Sequence, residues 1–166
     1  MCRRCGETYR RGDVDVRGGR QRAVSLFRDD REVYACIGGL LRKVCDDSAF
    51  YDELADSGLV MRVRCVDPDA VITIDARAGV NEIRYGTYDD DVADVELRMT
   101  ADVAHRVWLG QADIFTELMR GNIDIRGPLD KLARVRPLIK PARGFYPDHL
   151  REIGCAHLLE SGDGPE

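Results

Sequence analysis

Two cysteines at the start of the chain have a spacing that can bind a metal. Cys2 and Cys5 form a C-x-x-C pair, which is half of a zinc knuckle. The other four of the six cysteines contain no second pair at this spacing, which a structural zinc site requires. We therefore expect no metal site here and interpret the cysteines as reduced thiols.

A second group of candidates lies near the other end of the sequence. His149 and Glu152 would lie one turn apart on a helix, with Cys155 close by in the chain. Such a trio suits a metal ion or a nucleophile–base pair, but Gly154 weakens the helix that would assemble it, so we expect no site there. His105, by contrast, stands between apolar residues beside Arg106, which predicts a surface or boundary position.

The other motifs of the sequence give no reason to assign a cofactor. Asp89–Asp91 is an acidic triplet without the glycine and closing glutamate of an EF-hand, so we interpret it as a solvated hairpin turn. The sequence contains no P-loop, no dinucleotide-binding glycine motif, no nucleophile elbow and no H-E-x-x-H. The usual reasons to propose an enzyme are therefore missing.

Composition narrows the class of protein further. A chain of 166 residues, 44% of them hydrophobic and 33% charged, suits one globular domain with a single core. Its net charge of -5 disfavours nucleic-acid binding. No apolar run approaches the roughly 18–20 residues that span a bilayer, and no secretory signal follows Met1. We expect a cytoplasmic protein without stable membrane insertion.

The hydrophobic pattern predicts helices in the first third of the chain. Residues 1–26 are rich in Arg and Gly and are expected to form a flexible arm, with ordered structure from Phe27. Apolar residues at helical spacing follow a cap at Asp29 or Asp30. Gly38 and Gly39 weaken this helix, and the pair would allow another backbone or a ligand to come close. A shorter helix is predicted to begin at residue 47 or 48 and to end at Gly58.

Alternating residues then predict strands at 61–65, 71–75, 83–85 and 93–99. Because their connections are short, these strands are expected to pair antiparallel. A helix capped by Thr100 ends at Gly110, a second helix ends at Gly121, and a strand follows at 122–126. Pro137 is expected to kink or end the next helix. A weak amphipathic helix is predicted at 148–160.

The order of these elements resembles one known family. The segments ADVELRMT (93–100), LGQAD (109–113) and MRGNIDIRG (119–127) resemble the sterol carrier protein family, as a bacterial single-domain member. The resemblance implies an α/β fold: an about five-stranded, mostly antiparallel, curved sheet with helices packed on one face, enclosing an apolar cavity. It covers residues 27–141, which leaves 142–166 as a C-terminal extension. Members of the family bind fatty acyl chains, sterols or similar molecules without converting them.

The resemblance also selects candidate ligand-binding residues. Two consecutive helices and the closing helix would lie over the sheet, and their apolar side chains would line the cavity. Each side chain taken alone is equally explained as part of an ordinary core. The candidates are Val107, Trp108, Ile114, Phe115, Leu118, Met119 and Leu132.

Three functions remain open at this point. The first is a carrier that needs no cofactor, with the C-terminal helix as a lid or a homodimer contact. The second is an enzyme that isomerises, cyclises or hydrates a hydrophobic metabolite, using Tyr85, Tyr88, Asp102 or His105. The third is an interaction module whose pocket receives a helix or terminus of a partner protein.

Overall fold

A computed structural model describes residues 24–77, 81–86 and 93–162. The helices are α1 (Asp30–Val33), α2 (Gly39–Asp46), α3 (Ser48–Asp56), α4 (Ala101–Leu109), α5 (Ile114–Met119), α6 (Leu129–Arg143) and α7 (Tyr146–Glu152). A π-helical turn (Tyr34–Gly38) joins α1 to α2, and a 3₁₀ helix (Ala156–Gly162) follows α7. The strands are β1 (Val60–Val66), β2 (Ala70–Asp75), β3 (Glu82–Tyr85), β4 (Val95–Thr100) and β5 (Ile123–Arg126).

The five strands form one sheet in the order β3-β2-β1-β4-β5. Three of the four pairings are antiparallel, but β1 and β4 are parallel, with Val63 opposite Leu97. The α/β fold and its mostly antiparallel sheet are therefore confirmed. The expectation that β4 pairs antiparallel with the strand before it was wrong, because the chain crosses from β3 to the far side of β1. Pairing between distant segments is not fixed by local connection length.

The alternation of residues gives the sheet one apolar and one polar face. In β4, Val95, Leu97 and Met99 are buried, whereas Arg98 between them is exposed. Partners across the β1–β4 ladder share the same face, so Val63 extends the apolar surface next to Leu97. The helices pack against this face, and the hydrophobic core lies between the two layers.

The glycine pair near the N-terminus makes room for two side chains. A β-carbon on Gly38 would lie 2.6 Å from the Tyr85 ring, and one on Gly39 would lie 2.6 Å from Nε2 of His149. Real β-carbons do not approach this closely, so only glycine fits at either position. The expected close approach is thus made by side chains, rather than by a backbone or a ligand.

Several predicted helix boundaries are confirmed, and each has a local cause. Asp29 accepts a hydrogen bond from the backbone N–H of Glu32, and Thr100 accepts one from that of Val103, so each side chain caps its helix. Gly110 has a φ of 78° and ends α4 in the left-handed conformation.

Of the two effects expected of Pro137, a kink or an end of the helix, the structure rules out the end. Helix α6 continues from Leu129 to Arg143 with both Pro137 and Pro141 inside it. Each proline removes a backbone hydrogen bond to the carbonyl four residues earlier, at Ala133 and at Pro137. Ala133, Pro137 and Pro141 are all exposed, so water can replace the missing donors.

The C-terminal segment also differs from its prediction. The expected single helix over 148–160 is divided, because Gly154 adopts a φ of 78° between α7 and the 3₁₀ helix. Leu150 and Leu158 are buried, but Ile153 is 38% exposed. The segment packs against α2, α4 and α6. The predictions for residues 1–23, including Cys2 and Cys5, and for Tyr88 and Asp89–Asp91 lie outside the described residues.

Candidate ligand-binding pocket

An apolar pocket lies between the sheet and the helices, with a volume of about 80 Å³. All its lining side chains are apolar. The strands contribute Met61, Val63, Leu97 and Met99; helices α2 to α5 contribute Val44, Leu54, Ala104, Val107, Trp108 and Ile114; α6 contributes Leu132, Val135, Leu138 and Ile139. We refer to this space as the apolar pocket. A volume of this size is well below the roughly 300–1,000 Å³ typical of small-molecule sites.

The lining side chains of each strand and helix follow the period of that element and therefore share one face of it. In each strand, lining residues are two apart and therefore share one face of the sheet. Helix α6 lines the pocket at 132, 135, 138 and 139, which is the spacing of one helical face. Met61, Trp108 and Ile139 are half-buried, whereas the other lining residues are buried, so we expect the pocket to open beside these three.

The structure places the predicted ligand-binding residues in two groups. Val107, Trp108, Ile114 and Leu132 line the apolar pocket. The other three lie elsewhere: Phe115 and Leu118 are half-buried beside the core, and Met119 is 87% exposed. Met119 therefore does not line the apolar pocket in this structure. Whether any of the seven contacts a ligand stays a prediction.

Sequence reasoning missed the floor of the pocket and most of the α6 face. Met61, Val63, Leu97 and Met99 were recognised as the apolar side of two strands, but not as neighbours of each other. Each strand was predicted from the alternation of apolar and polar residues within its own segment. Their juxtaposition depends on the parallel β1–β4 pairing, which connects segments more than 30 residues apart.

A buried polar cluster lies on another side of α4. Nε2 of His105 is 3.0 Å from the carbonyl oxygen of Leu158, and Nδ1 is 2.8 Å from the hydroxyl of Tyr146. Because a carbonyl can only accept, Nε2 carries the proton and Nδ1 accepts the Tyr146 hydroxyl. We call these three groups the His105 cluster. The imidazole is fully buried, which corrects the expected surface position.

Burial keeps the acid–base groups near this cluster neutral. Desolvation lowers the pKa of His105, although its hydrogen bond to Leu158 acts in the opposite direction. Desolvation also raises the pKa of the Tyr146 hydroxyl and that of the Cys36 thiol, and it raises the pKa of Cys65 to about 12. None of these side chains lines the apolar pocket. Their arrangement supports hydrogen bonding between elements rather than proton transfer to a ligand.

Two further side chains that were considered for catalysis make contacts outside the apolar pocket. Tyr85 stacks on Tyr34, with ring centroids 4.9 Å apart, and Asp102 accepts a hydrogen bond from the backbone N–H of Leu26 at 3.0 Å. Neither residue lines the apolar pocket.

The predicted trio in the C-terminal segment is not assembled as a metal site. Nε2 of His149 is 2.9 Å from the carbonyl oxygen of Ala35, and Glu152 pairs with Lys43. Within residues 24–77, 81–86 and 93–162, no group of three potential metal ligands comes together. In the same part of the chain, no helix has the length and apolar character needed to cross a bilayer.

Comparison with solved structures identifies the fold. The chain resembles sterol carrier protein 2 from Yarrowia lipolytica, with a TM-score of 0.53 and 17% identity over 64% of this chain and 89% of that one. A sterol carrier protein domain 2 of Helicoverpa armigera gives 0.52 and 17%, over 68% and 88% of the two chains. A protein described as "UbiJ-SCP2 Ubiquinone synthesis protein" gives 0.50 and 14%, over 63% and 90%.

These similarities define the class of protein by its architecture. The described chain has the α/β fold of the sterol carrier protein domains, as the resemblance implied. No protein-family model matches the sequence. No curated protein matches it either, so the likeness is one of fold.

Proposed function

We propose that this protein binds a hydrophobic small molecule in the apolar pocket and carries it without chemical conversion. The observation that carries this proposal is the lining itself, because every side chain around the pocket is apolar. Burying a hydrocarbon chain there gains about 0.8 kcal/mol per methylene. A fatty acyl, sterol or isoprenoid-like molecule has the required surface.

Among the described residues, no side chain that lines the apolar pocket titrates, which supports carriage over catalysis. General acid–base chemistry needs a side chain within about 3 Å of the proton that it moves. In the described residues, the candidates Tyr85, Asp102 and His105 lie outside the pocket lining. The names of the proteins with the same fold, two of them sterol carrier proteins, agree with this proposal.

The volume of about 80 Å³ implies that the pocket widens when a long chain binds. Uptake therefore involves movement of a wall, as in proteins whose lids or helices open for a ligand. No described residue of the C-terminal segment lines the pocket, so we expect the movement in a helix that does line it.

The first test is native mass spectrometry of freshly purified protein, followed by organic extraction. We expect a bound hydrophobic molecule, or uptake of one from a panel of fatty acyl chains, sterols and polyisoprenoids. An empty protein that takes up none of the panel contradicts the proposal. Capture of a chemically altered product would instead favour an enzyme.

A pair of variants tests whether the ligand binds in the apolar pocket. Ala104→Leu adds three carbon atoms to a side chain that lines the pocket, whereas Ala55→Leu makes the same change on α3 outside it. If the added carbons displace two methylenes of the ligand, affinity falls by about 1.6 kcal/mol, or roughly fifteenfold. Binding of 1-dodecanol is followed through Trp108, the single tryptophan, and thermal unfolding checks that both variants fold. Equal affinities in both variants would place binding elsewhere.

A further inference from the structure

A groove beside the apolar pocket carries basic side chains at regular spacing. Arg136, Lys140 and Arg143 lie at i, i+4 and i+7 on α6 and therefore on one stripe of the helix. Together with Asp113 they line a groove of about 260 Å³. We call these three cations the basic rim.

The groove and the apolar pocket are adjacent. Both are lined by Ile114 from α5 and by Ile139 from α6. One face of α6 thus contributes Leu132, Val135 and Ile139 to the pocket, and the next face contributes the basic rim. An apolar space beside a cationic one matches a molecule that has a hydrocarbon chain and an anionic end.

The charge of the basic rim is not balanced locally. None of the three cations forms a salt bridge with a described residue. The Asp113 carboxylate caps α5 through Oδ1, which accepts from the backbone N–H of Phe115 at 3.1 Å and from that of Thr116 at 3.0 Å, and its charge offsets one of the three cations. These hydrogen bonds, that of Thr116 first, hold its pKa below the usual range. The groove therefore retains two positive charges in excess.

Arg143 supplies a second, independent sign of a missing acceptor. One of its terminal nitrogens donates to the carbonyl oxygen of Ala112 at 3.0 Å, which fixes the half-buried side chain against the α4–α5 connection. Its Nε is buried and has no hydrogen-bond partner in the described structure. A buried donor without an acceptor is costly, so an incoming oxygen ligand would be stabilising here.

The helix dipole does not explain the whole stripe. Cations in the last turn of a helix are favourable, which applies to Lys140 and Arg143. Arg136 lies two turns before the end of α6, where this effect has decayed. Its guanidinium lies 4.8 Å above the Phe115 ring, which holds the charge over the groove side of α5.

We propose that the basic rim of Arg136, Lys140 and Arg143 binds the anionic head group, a carboxylate or a phosphate, of the amphiphile whose chain fills the apolar pocket. This inference rests on the proposed function and names the chemical class of its ligand. A neutral sterol or alcohol would use the pocket alone. An acyl chain with a free carboxylate, or a phosphorylated prenol, would use both.

The test compares dodecanoate with 1-dodecanol, which differ at the head group, by isothermal titration calorimetry. We expect the full chain to bind dodecanoate about tenfold more tightly, or by about 1.4 kcal/mol, because its carboxylate adds charge-assisted contacts with the basic rim. In R136Q/K140Q this preference should disappear through a tenfold loss for dodecanoate, with 1-dodecanol unchanged. The matched control R126Q/R134Q neutralises two exposed arginines that line neither space. It should retain the preference.

The outcomes separate this inference from the function on which it rests. If both ligands bind equally well and R136Q/K140Q changes neither affinity, the head-group site is refuted and the carrier proposal stands. If neither ligand binds, the head-group site is refuted; the carrier proposal fails with it only if the panel of fatty acyl chains, sterols and polyisoprenoids also shows no uptake. If inorganic phosphate or acetate binds as tightly as dodecanoate, the groove is a site for free anions, which also refutes the inference.

A vesicle experiment distinguishes a bound head group from a membrane surface. Co-sedimentation with phosphatidylglycerol and with phosphatidylcholine vesicles is measured for the full chain and for R136Q/K140Q. Weaker association of the variant with anionic vesicles, together with unchanged affinity for monomeric dodecanoate, would assign the basic rim to membrane docking and refute the head-group site. A loss confined to monomeric dodecanoate supports it.

Discussion

Removal of the Tyr146 hydroxyl should destabilise the protein, although it deletes a single atom. The hydroxyl donates to Nδ1 of His105 at 2.8 Å, and both side chains are completely buried. In Tyr146→Phe, Nδ1 keeps its lone pair but loses its donor, because Nε2–H is committed to the carbonyl of Leu158. An unsatisfied buried group costs about 1–3 kcal/mol. For a chain of this length the melting temperature falls by roughly 2–4 °C per kcal/mol, so we expect a fall of about 2–12 °C.

A double-mutant cycle isolates this interaction. His105→Leu removes both hydrogen bonds of the imidazole, and the Tyr146→Phe change should cost little in that background. We expect a coupling of about 1 kcal/mol or more from urea denaturation. Tyr51→Phe is the control, since this tyrosine is 43% exposed and its substitution should stay within about 0.5 kcal/mol.

The local readout is amide hydrogen exchange in the 3₁₀ helix (Ala156–Gly162). Because His105 anchors this helix through the carbonyl of Leu158, its amides should exchange faster in His105→Leu. The reasoning is refuted if Tyr146→Phe unfolds within about 0.5 kcal/mol of the wild type and the coupling is near zero. A stable Tyr146→Phe would mean that Nδ1 is not the acceptor.

Three further predictions concern single sites. Folding lowers the pKa of His105, so below about pH 6.5 the unfolded chain binds more protons than the folded protein. The free energy of unfolding should therefore decrease as the pH falls through that value. In His105→Leu, urea denaturation between about pH 7 and 5 should show a smaller dependence of this free energy on pH. Gly39→Ala should destabilise by about 1–3 kcal/mol, because the new β-carbon would lie 2.6 Å from Nε2 of His149; a gain in melting temperature, as in an ordinary helix, would contradict this. Thr100→Ala should cost about 1 kcal/mol in thermal unfolding, because its hydroxyl accepts from the Val103 N–H at 3.2 Å, whereas Thr100→Ser should retain most of that stability.

Features set by neighbours in the chain could be predicted from the sequence. The caps at Asp29 and Thr100 and the stop at Gly110 depend on one side chain and a few backbone groups next to it. The strands were likewise found from alternation within each segment. The resemblance to the sterol carrier proteins then supplied the α/β architecture, which the comparison of structures confirms.

Features that depend on distant segments could not be predicted in this way. The parallel contact of β1 with β4 and the burial of His105 under Leu158 join residues far apart in sequence. No spacing rule marks His105 as buried, because its neighbour Arg106 is exposed and its partners come from the C-terminal segment. Pro137 shows the opposite case, because it does not end the helix. The local rule was overridden at exposed positions, where water can replace the missing donor.

The positions of the His105 cluster and the prolines indicate which wall of the apolar pocket yields to a ligand. Helix α4 packs on β4 and is joined on another side to the C-terminal segment by the His105 cluster, so moving it would break buried hydrogen bonds. Helix α6 faces the same pocket, and it lacks two backbone hydrogen bonds at Pro137 and Pro141. Displacing α6 would break the hydrogen bond of Arg143 to Ala112 and the salt bridge of Lys131 with Asp94, but these involve partly exposed side chains rather than a fully buried imidazole. Since α6 also carries the basic rim, the helix that widens the pocket for the chain is the one that would contact the head group.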